Sequence, residues 1–417
     1  MKNDQAKNRY LFPLTIVGGL FFILGFITWL NSMLIPFLKL SCELNNFQAF
    51  LVTSAFYISY TLMALPASYV LEKTGFKLGM SIALWVMALG ALIFIPAAYS
   101  RSYQFFLSGV FVLGSGMALL QTAVNPYVTI LGPMESAAKR ISIMGIANKV
   151  AGTLAPLVLA YFVVYNNDEQ LIQSLQELPL PEKAFQLDII AERVITPYAG
   201  MSVVLLLLGA AIYFVKLPQP YFEEVQKQGS QSEKSIFQFP HLWLGVLALF
   251  AYVGAEVVAG DTIIQYALMK GWPIEEAKVL TSITLSFMLI GYLAGIIFIP
   301  KFISQEKALT VSAILGLILS AGIIFLPINY SIWTISFLGI ANALVWPAIW
   351  PLALKDLGAL TAKGSALLIM AISGGAILPL IWGRIADKVD AQNAYWVLIP
   401  AYFLILYYST KGYKLRT

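Results

Sequence analysis

The chain is predicted to be an all-α integral membrane protein, with about twelve transmembrane helices in two pseudo-symmetric halves of six. Three observations lead there. Of its 417 residues, 59% are hydrophobic and only 11% charged, with a mean hydropathy of +0.79; soluble domains carry about 25% charged residues. The apolar residues gather into runs of roughly 20, the length a bilayer demands, and none shows the alternation of a barrel strand. The stretch 113–133, LGSGMALLQTAVNPYVTILGP, also has a second copy in the far half of the chain.

In order, the predicted spans are 11–39, 47–72, 78–98, 103–131, 140–165, 196–216, 241–268, 276–299, 308–327, 330–354, 362–385 and 392–410. The first apolar run is too long for a signal-peptide core and lacks a small-x-small cleavage site, so it is expected to remain as a span. Two connections are long. Residues 166–195 hold Asp168, Glu169, Glu177, Glu182, Asp188 and Glu192 against Lys183 and Arg193, and read as a solvated loop without a binding signature. Residues 217–240 are polar and read as a linker between an N-terminal half, 1–216, and a C-terminal half, 241–417.

The net charge of +5 and pI near 9.0 do not point to nucleic acid, because the basic residues are scattered among short loops. They report topology instead. With the N-terminus inside, cytoplasmic segments hold about twice as many Lys and Arg as the opposite side, so both termini are expected in the cytoplasm. The single cysteine, Cys42, excludes an internal disulfide, and the single histidine, His241, leaves no metal-ligand spacing.

The repeat is specific in register. Setting Pro126 over Pro351, a shift of 351 − 126 = 225, places Leu113, Gly114, Ala118 and Leu119 on Leu338, Gly339, Ala343 and Leu344. Each copy reads as a membrane helix broken near its end by proline. A second match, Gly152, Pro156 and Leu157 against Gly375, Pro379 and Leu380, follows at 375 − 152 = 223. Two parallel six-helix halves with sites near the midplane describe the major facilitator fold. The loop LEKTGFKLG (71–79) is a degenerate form of that superfamily's signature.

The repeat also juxtaposes chemistry. Gln121 falls on Trp346 and Asn125 on Trp350, and each pair, spaced i, i+4, shares one helix face with about 6 Å between members. A pair of amides facing a pair of indoles suits a sugar, whose hydroxyls want the first and whose C–H faces want the second. Close helix packing and interfacial tryptophans account for the same residues equally well.

Charges inside the bilayer cost about 2.5–3.5 kcal/mol even on the lenient insertion scale, so each needs a reason. Glu256 sits halfway along the seventh span. Asp261 follows five residues later, about 140° around the helix, so the two do not form a one-face carboxylate pair. Asp261 reads equally as a solvated helix end. Gly254 and Gly260 flank the segment and would permit unwinding, which could expose carbonyls to a cation. Lys149 lies about 15 Å into the fifth span, a depth that implies a watery cavity or snorkelling. Thr28 and Asn31, at i, i+3 in the first span, are candidates for the cavity wall or for helix–helix hydrogen bonds.

These residues lie in segments that resemble a known family. WLNSMLIPFLK (29–39), NNFQAFLVTSAFYISY (45–60), LLQTAVNPYVTILGP (119–133), YVGAEV (252–257), WPAIWPLALKDLG (346–358) and LLIMAISGGAILPL (367–380) are similar to the fucose/galactose/glucose permease family. The likeness is greater to its bacterial glucose/galactose branch. It implies a multi-pass protein of the bacterial inner membrane that carries a small sugar by symport and needs no cofactor. On resemblance alone Asn148 matches a sugar-contacting asparagine. One departure matters: the essential carboxylates of L-fucose permease in the first and fourth helices fall on Ser32 and Gln121 here. Its proton machinery therefore does not carry over, and Na⁺ is favoured over H⁺ as the co-transported cation.

The expected function is hexose uptake of glucose/galactose type by cation symport through alternating access, by a monomer whose partners are the sugar and the surrounding lipid. Asn31, Gln121, Asn125 and Asn148 would bond hydroxyls, Trp346 and Trp350 would pack on the ring, and Glu256, Asp261 and Lys149 would serve coupling. Uniport, a fucose-type or amino-sugar substrate such as N-acetylglucosamine, and a transport-dead receptor remain alternatives. An enzyme is not expected, since no phosphate-cradling glycine loop, metal cluster or nucleophile-with-base arrangement occurs.

Overall fold

The computed structural model describes residues 2–130, 137–164, 171, 174–175, 178–215, 217, 235–299, 302–357 and 360–415. Among them eleven helices are long and apolar enough to cross a membrane. The acids at 168, 169 and 177 and most of the predicted linker, 218–234, lie outside the described residues.

The first span lies in α1 (Lys2–Ser41), and a four-residue helix, α2 (Asn46–Ala49), leads into α3 (Leu51–Tyr99). That long run carries both the second and third spans. It reverses at Gly75, whose φ of 73° is open to glycine because it has no Cβ. The fourth and fifth spans are α4 (Tyr103–Ile130) and α5 (Ala137–Val163). The connection read as a solvated loop contains a helix, α6 (Leu180–Glu192), which buries Leu187, Ile190 and Ala191 and leads to α7 (Ile195–Phe214). Its acids are not all free in water: Asp188 pairs with Arg101 at 3.3 Å, and Lys183 reaches Glu43 at 2.6 Å.

The second half opens with α8 (Pro240–Asp261), followed by α9 (Ile263–Met269), α10 (Ile274–Ala277), α11 (Leu280–Phe298) and α12 (Gln305–Phe325). The unwinding that Gly254 and Gly260 would permit in the seventh span does not occur; α8 is unbroken to Asp261. Its glycines serve close approach instead. A Cβ on Gly254 would lie 2.6 Å from Leu378 Cδ2, and one on Gly260 2.1 Å from Trp29 Cζ3.

The two copies of the repeat also end differently from expectation. The first stays helical to Ile130, whereas the second divides into α13 (Ile328–Ala343) and α14 (Val345–Leu354), with the break at Leu344 rather than Pro351. Pro347, in the first turn of α14, has no N–H to give the Ala343 carbonyl, so the ladder fails one turn earlier. The eleventh span is α15 (Thr361–Met370) and α16 (Gly374–Lys388), joined by a 3-10 turn at Ala371–Ser373. The twelfth is a 3-10 turn, Asn393–Val397, running into α17 (Leu398–Thr410), which alone is too short to span. Pro400 sits in the first turn of α17, where its missing N–H is tolerated.

The repeated glycines do the same job twice. A Cβ on Gly114 would lie 2.6 Å from the Phe56 carbonyl oxygen on α3, and one on Gly339 2.1 Å from that of Thr284 on α11. Small residues at matching places thus let the fourth helix lie against the second and the tenth against the eighth.

The halves meet where α3 runs along α16, α5 along α11, and α1 against α8 and α9. At one end, Asp387 of α16 accepts hydrogen bonds from Asn46 N (3.0 Å), Asn46 Nδ2 (2.6 Å) and Phe47 N (2.8 Å). Deeper in, Phe50 meets Trp382 edge-on at 5.3 Å, Ser54 Oγ donates to Ala376 O at 2.5 Å, and Thr61 Oγ1 donates to Met370 O at 3.3 Å.

Candidate functional site

Two charged residues from different halves meet between these helices. Lys149 Nζ on α5 lies 2.6 Å from Glu256 Oε1 on α8, and each side chain is only 11% exposed. The same ammonium stands 5.1 Å from the centre of the Trp29 ring on α1. Trp29 is seated between two glycines, since a Cβ on Gly152 would lie 2.4 Å from its Cδ1 and one on Gly260 2.1 Å from its Cζ3. The two glycines therefore let one indole bridge α5 and α8 directly beneath the ion pair.

Asp261 is not a solvated helix end. It is 1% exposed, with Thr53 of α3 in contact with it and Trp29 of α1 against the adjacent Gly260. Thr53 Oγ1 donates to Asp261 Oδ2 at 3.1 Å, while Oδ1 has no hydrogen-bond partner among the described residues. As the helical pitch requires, the two carboxylates of α8 point to different neighbours, Glu256 to α5 and Asp261 to α3.

The amides are divided. Gln121 on α4 is half-buried and donates from Nε2 to Tyr60 Oη at 3.3 Å; Tyr60 in turn stacks on Tyr57. Asn125 follows one turn later, also half-buried. Asn148 gives its Nδ2 to Phe21 O at 3.2 Å, clasping α5 to α1 close to Gly25. Asn31, expected on the wall of a cavity between the halves, is instead 4% exposed inside the first half. It lines a small void with Ile27, Phe56, Phe94, Val110 and Tyr198, and its Nδ2 has no partner among the described residues. Thr28 bonds its own helix at Leu24 O. Trp346 and Trp350 are half-buried and stack on each other at 5.3 Å and 21°, so they offer one joint aromatic surface.

A hollow of about 370 Å³ beside α6, lined by Leu178, Pro181, Glu182, Phe185 and Gln186, includes none of these residues. His241 is fully buried, with Nε2 2.8 Å from Lys355 O, a structural contact. Among the described residues no group of His, Cys, Asp and Glu is arranged to hold a metal ion.

The all-helical membrane fold is matched among known proteins. A model of the Major Facilitator Superfamily matches residues 17–378. The chain belongs to that superfamily. Within it, the chain falls in the fucose/glucose/galactose family of transporters and is not an enzyme. It is 33% identical to a glucose/galactose transporter of Brucella abortus over 98% of this chain and 96% of that one. It is 30% identical to the L-fucose-proton symporter of Escherichia coli, over 92% and 89%. A solved structure of a family member, FucP in the outward conformation, superposes with a TM-score of 0.72 at 26% identity, covering 97% of this chain and 99% of that one.

Sequence reasoning missed Thr53, Tyr57, Tyr60 and Trp29 as parts of the site, although all four lie in the segments that carry the family resemblance. Thr53 and Asp261 are 208 positions apart, and no local pattern predicts such a contact. The tight glycines at 152 and 260 were the available signal, since small residues mark where a large neighbour approaches.

Proposed function

We propose that this protein is a secondary active transporter that imports a hexose of the glucose/galactose type, coupled to a cation, by alternating access. The observation that carries the reading is the Lys149–Glu256 pair between the halves. Buried charges are retained in a membrane protein where something polar or ionic must pass, and a pair split between two rocking bodies is remade or broken with each cycle. A uniporter has no such need for charge at this seam. The substrate class is supported by relatives named as glucose/galactose transporters, aligned over almost the whole chain.

In this reading Gln121, Asn125 and the Oδ1 of Asn148 address hydroxyls, and the Trp346–Trp350 stack packs on the sugar ring. Asn31 is left out, since its surroundings belong wholly to the first half. Lys149, Glu256 and Asp261 form the coupling apparatus for Na⁺ or H⁺. The excess of basic residues on one side supports cytoplasmic termini and a bacterial inner-membrane location, which makes the Asn46–Asp387 end the outer one. With that end sealed, the molecule is in a state closed to the outside.

Counterflow of labelled glucose in proteoliposomes, challenged with unlabelled galactose, fucose and N-acetylglucosamine, tests the substrate class. Inhibition by glucose and galactose is expected. Inhibition by fucose or N-acetylglucosamine alone would transfer the assignment to that sugar, and an absence of any counterflow would end the transporter reading.

A further inference from the structure

Of the two membrane carboxylates on α8, one has a counter-charge and the other has none. Glu256 is neutralised by Lys149 at 2.6 Å. Asp261, 1% exposed, has one hydroxyl, that of Thr53 at 3.1 Å, and no cation within ion-pair distance among the described residues. We propose that Asp261 takes up the coupling proton, and that its protonation permits the Asn46–Asp387 end of the bundle to close. This rests on the symport reading above and reverses the leaning towards Na⁺ that the sequence suggested.

The argument is one of cost. A lone carboxylate moved from water into an apolar interior without a partner pays several kcal/mol, and the group neutralises instead. The contact that buries Asp261 comes from the opposite half, from Thr53 on α3 with Trp29 of α1 beside it. The halves cannot reach this arrangement without burying Asp261, so closure of this end and neutralisation of the carboxyl are one event. When the end is open, water delivers a proton to Oδ1, forming a neutral acid whose Oδ2 still accepts from Thr53. The proton leaves, and the charge returns, when water next reaches Oδ1.

The surroundings favour a proton over a metal cation. A metal would need several oxygen ligands converging on the carboxylate, whereas among the described residues Thr53 is its one hydrogen-bond partner and no group of His, Cys, Asp and Glu is arranged to hold a metal ion. Thr281 Oγ1 donates to Gly260 O at 2.7 Å, and Thr262 Oγ1 bonds Val258 O at 2.6 Å and Tyr395 Oη at 2.8 Å. Ile263 and Ile264 beside them are fully buried and apolar. The titratable groups facing Asp261 are Tyr57 on α3 and Glu256 on its own helix. Glu256 is held by Lys149, so neither supplies a positive charge.

The test reads the conformation without sugar. Gln48 and Lys388, both exposed at the sealed end, are replaced by cysteine in a Cys42→Ser background, spin-labelled and reconstituted in lipid. The short-distance population should rise about tenfold relative to the long one between about pH 9 and pH 5, a shift of about 1.4 kcal/mol. Asp261→Asn, neutral at every pH, should stay closed without pH dependence. Thr53→Val removes a donor that favours the charged form, so closure should move to higher pH. A wild-type distribution unmoved by pH, an Asp261→Asn variant that still responds, or closure that follows added Na⁺ at fixed pH would each overturn the proposal. Because no sugar is present, failure of the sugar reading in counterflow would leave this result standing.

Discussion

Asp387 of the second half holds the start of the second span from across the molecule. Its Oδ1 accepts from Asn46 N at 3.0 Å and Asn46 Nδ2 at 2.6 Å, and its Oδ2 from Phe47 N at 2.8 Å. A carboxylate here satisfies helix-start N–H groups that have no intrahelical acceptor and complements the positive end of the helix. Lys39 Nζ, bonded to Asn46 Oδ1 at 2.8 Å, completes the cluster.

Removing that carboxylate should weaken closure of this end without unfolding the protein, because Asp387 itself is exposed. For Asp387→Ala, a loss of about 1 kcal/mol is expected, which is a several-fold shift of the closed-to-open ratio. Distance measurements between labels at positions 48 and 388 check it. An unchanged distribution would show the contact to be incidental.

The sugar site is tested by Gln121→Ala and Trp346→Ala. Each should raise the apparent KM by ten-fold or more, on the order of 1.4 kcal/mol, with the protein still monodisperse. Unaltered affinity in both would place the sugar elsewhere.

The ion pair makes a paired prediction. Lys149→Met leaves Glu256 buried and unpaired, and breaking a buried pair typically costs about 3–5 kcal/mol. Its thermal midpoint in detergent should fall clearly, and the double variant Lys149→Met/Glu256→Gln should recover most of the loss. In vesicles, Glu256→Gln alone should lose gradient-driven accumulation by at least ten-fold while sugar exchange persists, because only accumulation needs the coupling free energy. Full accumulation by that variant would remove Glu256 from the mechanism.

Gly260→Ala addresses the seat of Trp29. The added Cβ would fall 2.1 Å from Cζ3 of a ring that is 2% exposed, so α1 and α8 must part or the indole must move. Overpacking of this kind costs about 1–3 kcal/mol. The variant should favour the state in which the halves are apart at this end, and Trp29→Leu on the same chain should restore part of the closure. A variant that closes as readily as the parent would mean that the wedge yields freely.

The helix between the fifth-span and sixth-span helices separates surface charge from packing. Lys183→Ala breaks a pair with 31% and 54% exposed side chains, so its effect on stability should be within about 1 kcal/mol. Leu187→Ala removes a fully packed side chain and should cost about 2–5 kcal/mol. Equal effects in a thermal melt would contradict the docked position of α6.

The class of the protein, most of its spans and the internal repeat were legible in the sequence because the bilayer itself imposes them. Hydrocarbon admits only apolar segments of fixed length with their backbone bonds satisfied, so Leu113–Gly114 and Leu338–Gly339 announce equivalent helices before any contact is known. Helix α6, the turn at Leu344 and the straight course of α8 were not legible. Each depends on what lies alongside: buried faces under α6, a proline one turn into α14, and bulky neighbours filling the space beside Gly254 and Gly260. The chemistry was the least legible. Glu256, Asp261 and Lys149 stand out in a chain that is 11% charged, but helical pitch fixes only the angle between the two acids on one helix. Only the packing of the two halves decided that Lys149 answers Glu256 from 107 positions away, and that Asp261 meets a hydroxyl instead of a charge. An ion pair between distant helices has no local periodicity to betray it, since its energy depends on separation in space and on exclusion of water, and both come into being when the halves close.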